Sequence, residues 1–299
     1  MKRHAWMGVL VVAAMSAGCG ANYHVNELIK PDTRFGKSVL LIGSTESLLK
    51  SGQIDVARTM EMSDGTPIAS WVIKSKTDSS RGTYVLLHGL RSSKANHLGA
   101  GKHLARKGYN VVLIDLRTHG ESGGKYVTYG YKEKNDVKTV MDRLSADGVV
   151  GTPFYVFGET LGATTAIQWA AMDSRVKAVA VDAPYKNFVT HAARTHLLMN
   201  KQDLQKLIEK AEKLADFQAE EASSVKAARK LSVPLLVMNG FFNASVPVEH
   251  AKAVYEASGG PVEMRVAFLD RTSGWLASEL DELAREGVDP DDDDEPDED

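Results

Sequence analysis

Two glycines four residues apart bracket a hydroxyl in Gly158-Glu159-Thr160-Leu161-Gly162. The run before it, Pro153-Phe154-Tyr155-Val156-Phe157, is short and continuously apolar, and Ala163 to Ala171 after it reads as a helix. A strand that passes through a glycine-flanked turn directly into a helix presents the side chain at its apex. A hydroxyl in that position attacks a carbonyl when a neighbouring base accepts its proton. Threonine suits the place less well than serine, because its β-branch restricts χ1 and crowds a tight turn.

Three further segments carry polar groups in a recognisable arrangement. Leu87-His88-Gly89-Leu90 ends an apolar strand. Asp115-Leu116-Arg117-Thr118-His119-Gly120-Glu121-Ser122-Gly123-Gly124 follows the next one, and Asn239-Gly240-Phe241-Phe242-Asn243-Ala244-Ser245-Val246-Pro247-Val248 a later one. Together with the glycine-bracketed turn they resemble the α/β-hydrolase superfamily, in its serine-aminopeptidase and esterase-like branch, over roughly residues 50 to 285. The resemblance implies a nucleophile, an acid and a histidine in that chain order. The matching positions are Thr160, Asn243 and, within Leu269-Asp270-Arg271-Thr272-Ser273-Gly274-Trp275, Ser273. It also implies an oxyanion hole from the backbone N–H groups of Leu90 and Leu161.

All three positions depart from the pattern. Asparagine at 243 keeps the size of an aspartate without the charge that orients an imidazolium, an exchange that costs about 10⁴-fold in turnover in a serine protease. Serine at 273 is no base near neutral pH, and the last histidine is His250, just beyond Asn243 rather than after the final strand. Loss of the nucleophile or the base costs on the order of 10⁶, and the losses do not add. Asp182 stands where some members of the superfamily place their acid. His88 and His119 belong to the two polar loops and are expected to hydrogen-bond backbone; His191 and His196, at the start of the insertion described below, are alternative bases.

Short apolar runs mark the elements that must position these residues: Tyr84-Leu87, Val111-Ile114, Phe154-Phe157, Val176-Val181 and Pro234-Met238. Such runs suit strands buried on both faces of a parallel sheet. Ile54 to Met62, the turn Ser63-Asp64-Gly65-Thr66-Pro67, and Ile68 to Ile73 read as a hairpin before them, and Val262 to Leu269 as a last strand. Helix-period segments lie between, at Ala95-Lys107, Lys132-Ala146, Ala163-Met172, His250-Ala257 and Trp275-Arg285. The expected fold is α/β, a doubly wound, mostly parallel sheet of eight strands. Residues 183–231 hold no strand; Leu204, Leu207, Ile208, Ala211, Leu214 and Ala215 recur at helical spacing there. This is either a small helical cap over the site or a surface helical hairpin.

The net charge of −3 is unevenly spread: the last eleven residues hold nine carboxylates and two prolines, so the body is mildly basic and residues 287–299 read as a solvated acidic tail. No nucleic-acid motif accompanies the basic charge. At the other end, Lys2-Arg3, an apolar run from Ala5 to Ala14 and Ser16-Ala17-Gly18-Cys19 resemble a bacterial lipoprotein signal, residues 1–18, although Ser16 replaces the usual leucine. The run is too short to span a membrane. Cys19, the single cysteine, is then the lipid-attachment residue and the membrane a partner through it; plain secretion is the alternative. Residues 19–50 read as a tether and irregular segment, and 51–286 as the folded domain.

No metal, phosphate or dinucleotide motif is present, so no cofactor is implied. Three functions remain: a cell-envelope protein that binds a small carboxylate, ester or amide without cleaving it; an atypical acyl hydrolase that uses Thr160; and a structural surface domain.

Overall fold

A computed structural model describes residues 19–30, 43–240, 243 and 245–267. Its centre is one eight-stranded sheet. The strands are β1 (Val56–Glu61), β2 (Pro67–Ile73), β3 (Thr83–Leu87), β4 (Asn110–Ile114), β5 (Phe154–Glu159), β6 (Val176–Asp182), β7 (Leu235–Gly240) and β8 (Val262–Ala267). Their order is β1-β2-β4-β3-β5-β6-β7-β8, with β2 antiparallel to both neighbours and the remaining pairs parallel. Gly65, at φ +78, makes the β1–β2 turn.

The apolar runs are continuous because both faces of the sheet are covered. Along β3, Val85 and Leu87 enter one core while Tyr84 and Leu86 enter the other, as alternation requires. The second core is closed by α2 (Thr45–Lys50) and α3 (Leu98–Arg106). The first is closed by α4 (Glu133–Ala146), α5 (Leu161–Ala170) and α9 (Val248–Ala257). Three helices fill residues 183–231: α6 (Phe188–Thr195), α7 (Lys201–Ala215) and α8 (Ser224–Ala228). On α7, Leu207, Ile208, Ala211 and Ala215 are buried while Leu214 of the same stripe is exposed.

The stretch read as a tether contains a helix, α1 (Cys19–Ile29). Val25, Leu28 and Ile29 on it are buried in the first core, and α1 packs against α7. The Tyr129 hydroxyl donates to the Leu28 carbonyl oxygen at 2.8 Å, and the Val127 amide donates to the Ile29 carbonyl oxygen at 2.8 Å. The correction has a physical cause: a stripe of only three apolar residues is too short to register as periodic, and the surface that completes it lies far along the chain. The expected helix at Trp275–Arg285, the end of the last strand at Phe268-Leu269 and the acidic tail fall outside the described residues.

The order of the central strands places the site. β3 lies between β4 and β5, so the chain runs to opposite sides of it, and a crevice opens beyond the carboxyl ends of β3 and β5. Leu87 pairs with Gly158 there, which brings the His88–Leu90 loop beside the glycine-bracketed turn.

Candidate active site

β5 passes into α5 through a single residue. Thr160, the N-cap of α5, has φ 44 and ψ −100, a conformation that a β-branched residue rarely adopts and that costs of order 1–3 kcal/mol. Surrounding bonds hold it in place. Its N–H donates to the Asp182 carbonyl at 2.8 Å, and its carbonyl accepts from the Thr164 N–H at 3.0 Å and the Thr164 hydroxyl at 3.1 Å. The flanking glycines are required by contact: a Cβ on Gly158 would meet the Gly162 carbonyl, and one on Gly162 the Leu87 carbonyl oxygen.

The Thr160 hydroxyl oxygen accepts the N–H of Leu90 at 3.0 Å. No imidazole is hydrogen-bonded to Thr160 among the described residues. Leu161, the other residue expected to form an oxyanion hole, is the first residue of α5 and fully buried.

Among the described residues no histidine is hydrogen-bonded to Asn243. Its Oδ1 accepts from the N–H groups of Ser245 and Val246, at 3.0 and 2.9 Å, and closes its own loop. Ser273 lies outside the described residues. Asp182 ends β6, paired with Glu159 at the end of β5.

The histidines divide by role. His88 Nδ1 donates to the Gly89 carbonyl at 2.8 Å while Nε2 accepts the Leu116 N–H at 3.0 Å. His119 Nδ1 donates to the Arg117 carbonyl at 2.7 Å while Nε2 accepts the Arg91 N–H at 3.1 Å. Both rings are thus neutral struts between backbone groups, and burial holds both pKa values below the usual histidine range. His250 accepts the Lys186 N–H at 3.2 Å from α9. His196 is the C-cap of α6.

His191 alone of these lines the same cavity as Thr160. Its ring lies against Tyr185, tilted by 54° with ring centroids 4.4 Å apart, and burial pushes its pKa down to about 4. Tyr185 is pushed up to about 12 by burial, so the aromatic wall is uncharged near neutrality.

That cavity has a volume of about 450 Å³. Leu28, Leu90, Tyr129 and Leu197 give it an apolar lining, and Arg91 and Arg194 bring two positive charges to it against the one negative charge of Glu27. Of the lining residues, Arg91 directly follows the His88–Leu90 loop and so carries a positional signal in the sequence, whereas Arg194 and Leu28 reach the cavity only through the packing of α6 and α1. An opening of this kind, with the N-terminus of α5 at its base, favours a negatively charged or strongly polar oxygen.

Sheet order, crevice and strand–turn–helix apex are those of the α/β-hydrolase fold. Residues 78–219, just under half of the chain, match the family model for serine aminopeptidase, S33. Among solved structures, the chain is similar to the esterase Pf2001 of Pyrococcus furiosus, at 25% identity and a TM-score of 0.60, over 80% of this chain and 93% of that one. It is similar in fold to an alpha-beta hydrolase from Vibrio vulnificus, at 17% identity and a TM-score of 0.64, over 91% of this chain and 94% of that one. In sequence it is 27% identical over 195 residues to the uncharacterized protein YqkD of Bacillus subtilis (strain 168), which covers 62% of this chain and 63% of that protein. It is 23% identical over 204 residues to the uncharacterized protein YfhR of Escherichia coli (strain K12), covering 66% of each. The chain therefore spans a little under two thirds of the length of these two relatives.

Proposed function

We propose that this protein is a lipid-anchored binding protein of the cell envelope that holds a small carboxylate, ester or amide in its cleft and does not cleave it by a triad. The observation that carries the reading is the hydrogen bond from Leu90 N–H to Thr160 Oγ1. The donor that would stabilise an oxyanion is engaged by the hydroxyl that would attack. Asn243, in the position of the acid, is likewise committed to its own loop. Arg91 and Arg194 favour a carboxylate head, and the apolar lining favours a short hydrocarbon tail.

The anchor fits this geometry. α1 begins at Cys19 and reaches the cleft at Glu27 and Leu28, about 12 Å farther along at 1.5 Å per residue. A lipid on Cys19 would hold the cleft mouth against the membrane surface, where Leu197 (77% exposed) lines the cleft and the fully exposed Leu198 follows it in the chain. Among the described residues no helix is long and apolar enough to cross a membrane, so attachment in this reading rests on the lipid.

A second reading, an acyl hydrolase that uses Thr160 with a base outside the usual triad, draws on the presence of His191 in the same cavity. A base held down to about 4 accepts a proton far less readily than one tuned near the working pH, which disfavours it.

Calorimetric titration of the full chain with unbranched carboxylates from acetate to octanoate tests the proposal. Saturable binding that strengthens with chain length and weakens in Arg91→Ala is expected; no saturable binding at any length would overturn it. For the anchor, Cys19→Ser should move the protein from the membrane to the soluble fraction, and an unchanged distribution would refute lipid attachment.

A further inference from the structure

Beside the cleft, α1 and the end of α6 bring three metal-ligating side chains together. His24 and Glu27 lie one turn apart on α1, and His196 is the C-cap of α6. One ligand atom from each lies within 4.8 Å of the others. Glu27 Oε2 is 4.0 Å from His24 Nδ1 and 3.8 Å from His196 Nε2. The two imidazoles meet edge to face with centroids 5.0 Å apart.

His196 is the buried member of the cluster. Its side chain is 4% exposed, and its Nδ1 lies 3.2 Å from the Ala192 carbonyl oxygen. A carbonyl only accepts, so the proton sits on Nδ1 and Nε2 carries the lone pair, the arrangement that orients a metal-binding histidine. That Nε2 is buried with no hydrogen-bond partner and points towards Glu27. A buried lone pair left this way is costly unless something fills the space in front of it.

We propose that His24, Glu27 and His196 bind a divalent transition-metal ion of the Zn²⁺ type. Two imidazoles and one carboxylate form a donor set that Zn²⁺ takes readily. Bonds of 2.0–2.2 Å at tetrahedral angles place ligand atoms about 3.3 Å apart, so the cluster must contract by roughly 0.5–1.5 Å. His24 and Glu27, 41% and 42% exposed, have the freedom to close on a fixed His196.

Three protein ligands leave a fourth position. It opens on a cavity of about 470 Å³ lined by Arg194 and Leu198 as well as the three ligands, with space for water or the carboxylate of a small molecule. Arg194 disfavours a bare cation there and favours an ion that carries an anion with it. Glu27 lines this cavity and the Thr160 cleft alike, so the metal would tie α1 to the helical insertion at the cleft rim. None of this depends on whether Thr160 turns over a substrate.

The test is calorimetric titration of the chelator-stripped full chain with Zn²⁺, with Co²⁺ titrated separately by visible absorption. One saturable equivalent is expected, with the intense d–d bands of four-coordinate Co²⁺. His24→Ala, Glu27→Gln and His196→Ala should each weaken binding at least about tenfold. His103→Ala, an imidazole on α3 away from the cluster, should leave it unchanged. His24 and Glu27 are surface positions, so their variants report even if His196→Ala fails to fold. The proposal is overturned if no saturable binding occurs, if the Co²⁺ spectrum is the weak one of six-coordinate oxygen sites such as the acidic tail would provide, or if His24→Ala and Glu27→Gln bind as the wild type does.

Discussion

Thr160 Oγ1 lies 3.0 Å from the amide nitrogen of Leu90 and accepts its hydrogen, across the crevice between the ends of β3 and β5. The same amide is where the carbonyl oxygen of an acyl substrate would have to sit. An oxyanion-hole donor is worth about 10²–10³ in turnover, and here the hydroxyl that would attack takes it up in the resting state. In the proposed reading the strained apex of the turn serves binding and not attack.

Restoring the three positions should restore chemistry. Thr160→Ser, Asn243→Asp and Ser273→His together are expected to give measurable hydrolysis of nitrophenyl butyrate, whereas Thr160→Ser alone should give none because the unit acts as a whole. A folded triple variant without turnover would mean that the cleft no longer seats an acyl group beside Leu90.

Stability should fall in mild acid. Burial pushes His97 and His191 down to about 4, although Glu159 lies 4.0 Å from His97. The unfolded chain titrates them near 6.5. Between about pH 6.5 and 4 it therefore binds protons that the native state refuses, and unfolding becomes easier as the pH drops through that window. His97 contributes up to about 3 kcal/mol of this loss and His191, on the cleft wall, less. Urea midpoints at pH 7.5 and 4.5 should separate widely in the wild type and draw together in His97→Leu; equal separation in both would refute the assignment.

The first helix should behave as part of the domain. Ile29 is fully buried against the first core, so Ile29→Ala is expected to cost about 2–5 kcal/mol in urea denaturation. A change within about 0.5 kcal/mol, typical of surface substitutions, would return residues 19–30 to the status of a tether.

The sheet was legible because its strands are short apolar runs between turn residues. Every run from Tyr84-Leu87 to Pro234-Met238 is a strand, and the hairpin before them pairs as the alternation of Val56 and Met60 suggests. The turn around Thr160 was legible for a different reason, since steric contact allows only glycine at 158 and 162. The cleft walls were not. Arg194, Tyr129 and Leu28 come from three separate elements, and only tertiary packing brings them together. The cluster of His24, Glu27 and His196 was hidden in the same way: two residues share a helix turn, but strands β1 to β6 separate them from the third in sequence.

Hydrolysis of short-chain nitrophenyl esters by the wild-type chain and by Thr160→Ala, assayed side by side with a serine-directed phosphonate probe, tests the central claim most directly. The account predicts that the two proteins give the same background rate and that neither takes up the label. Wild-type turnover or labelling at residue 160 that Thr160→Ala abolishes would contradict it.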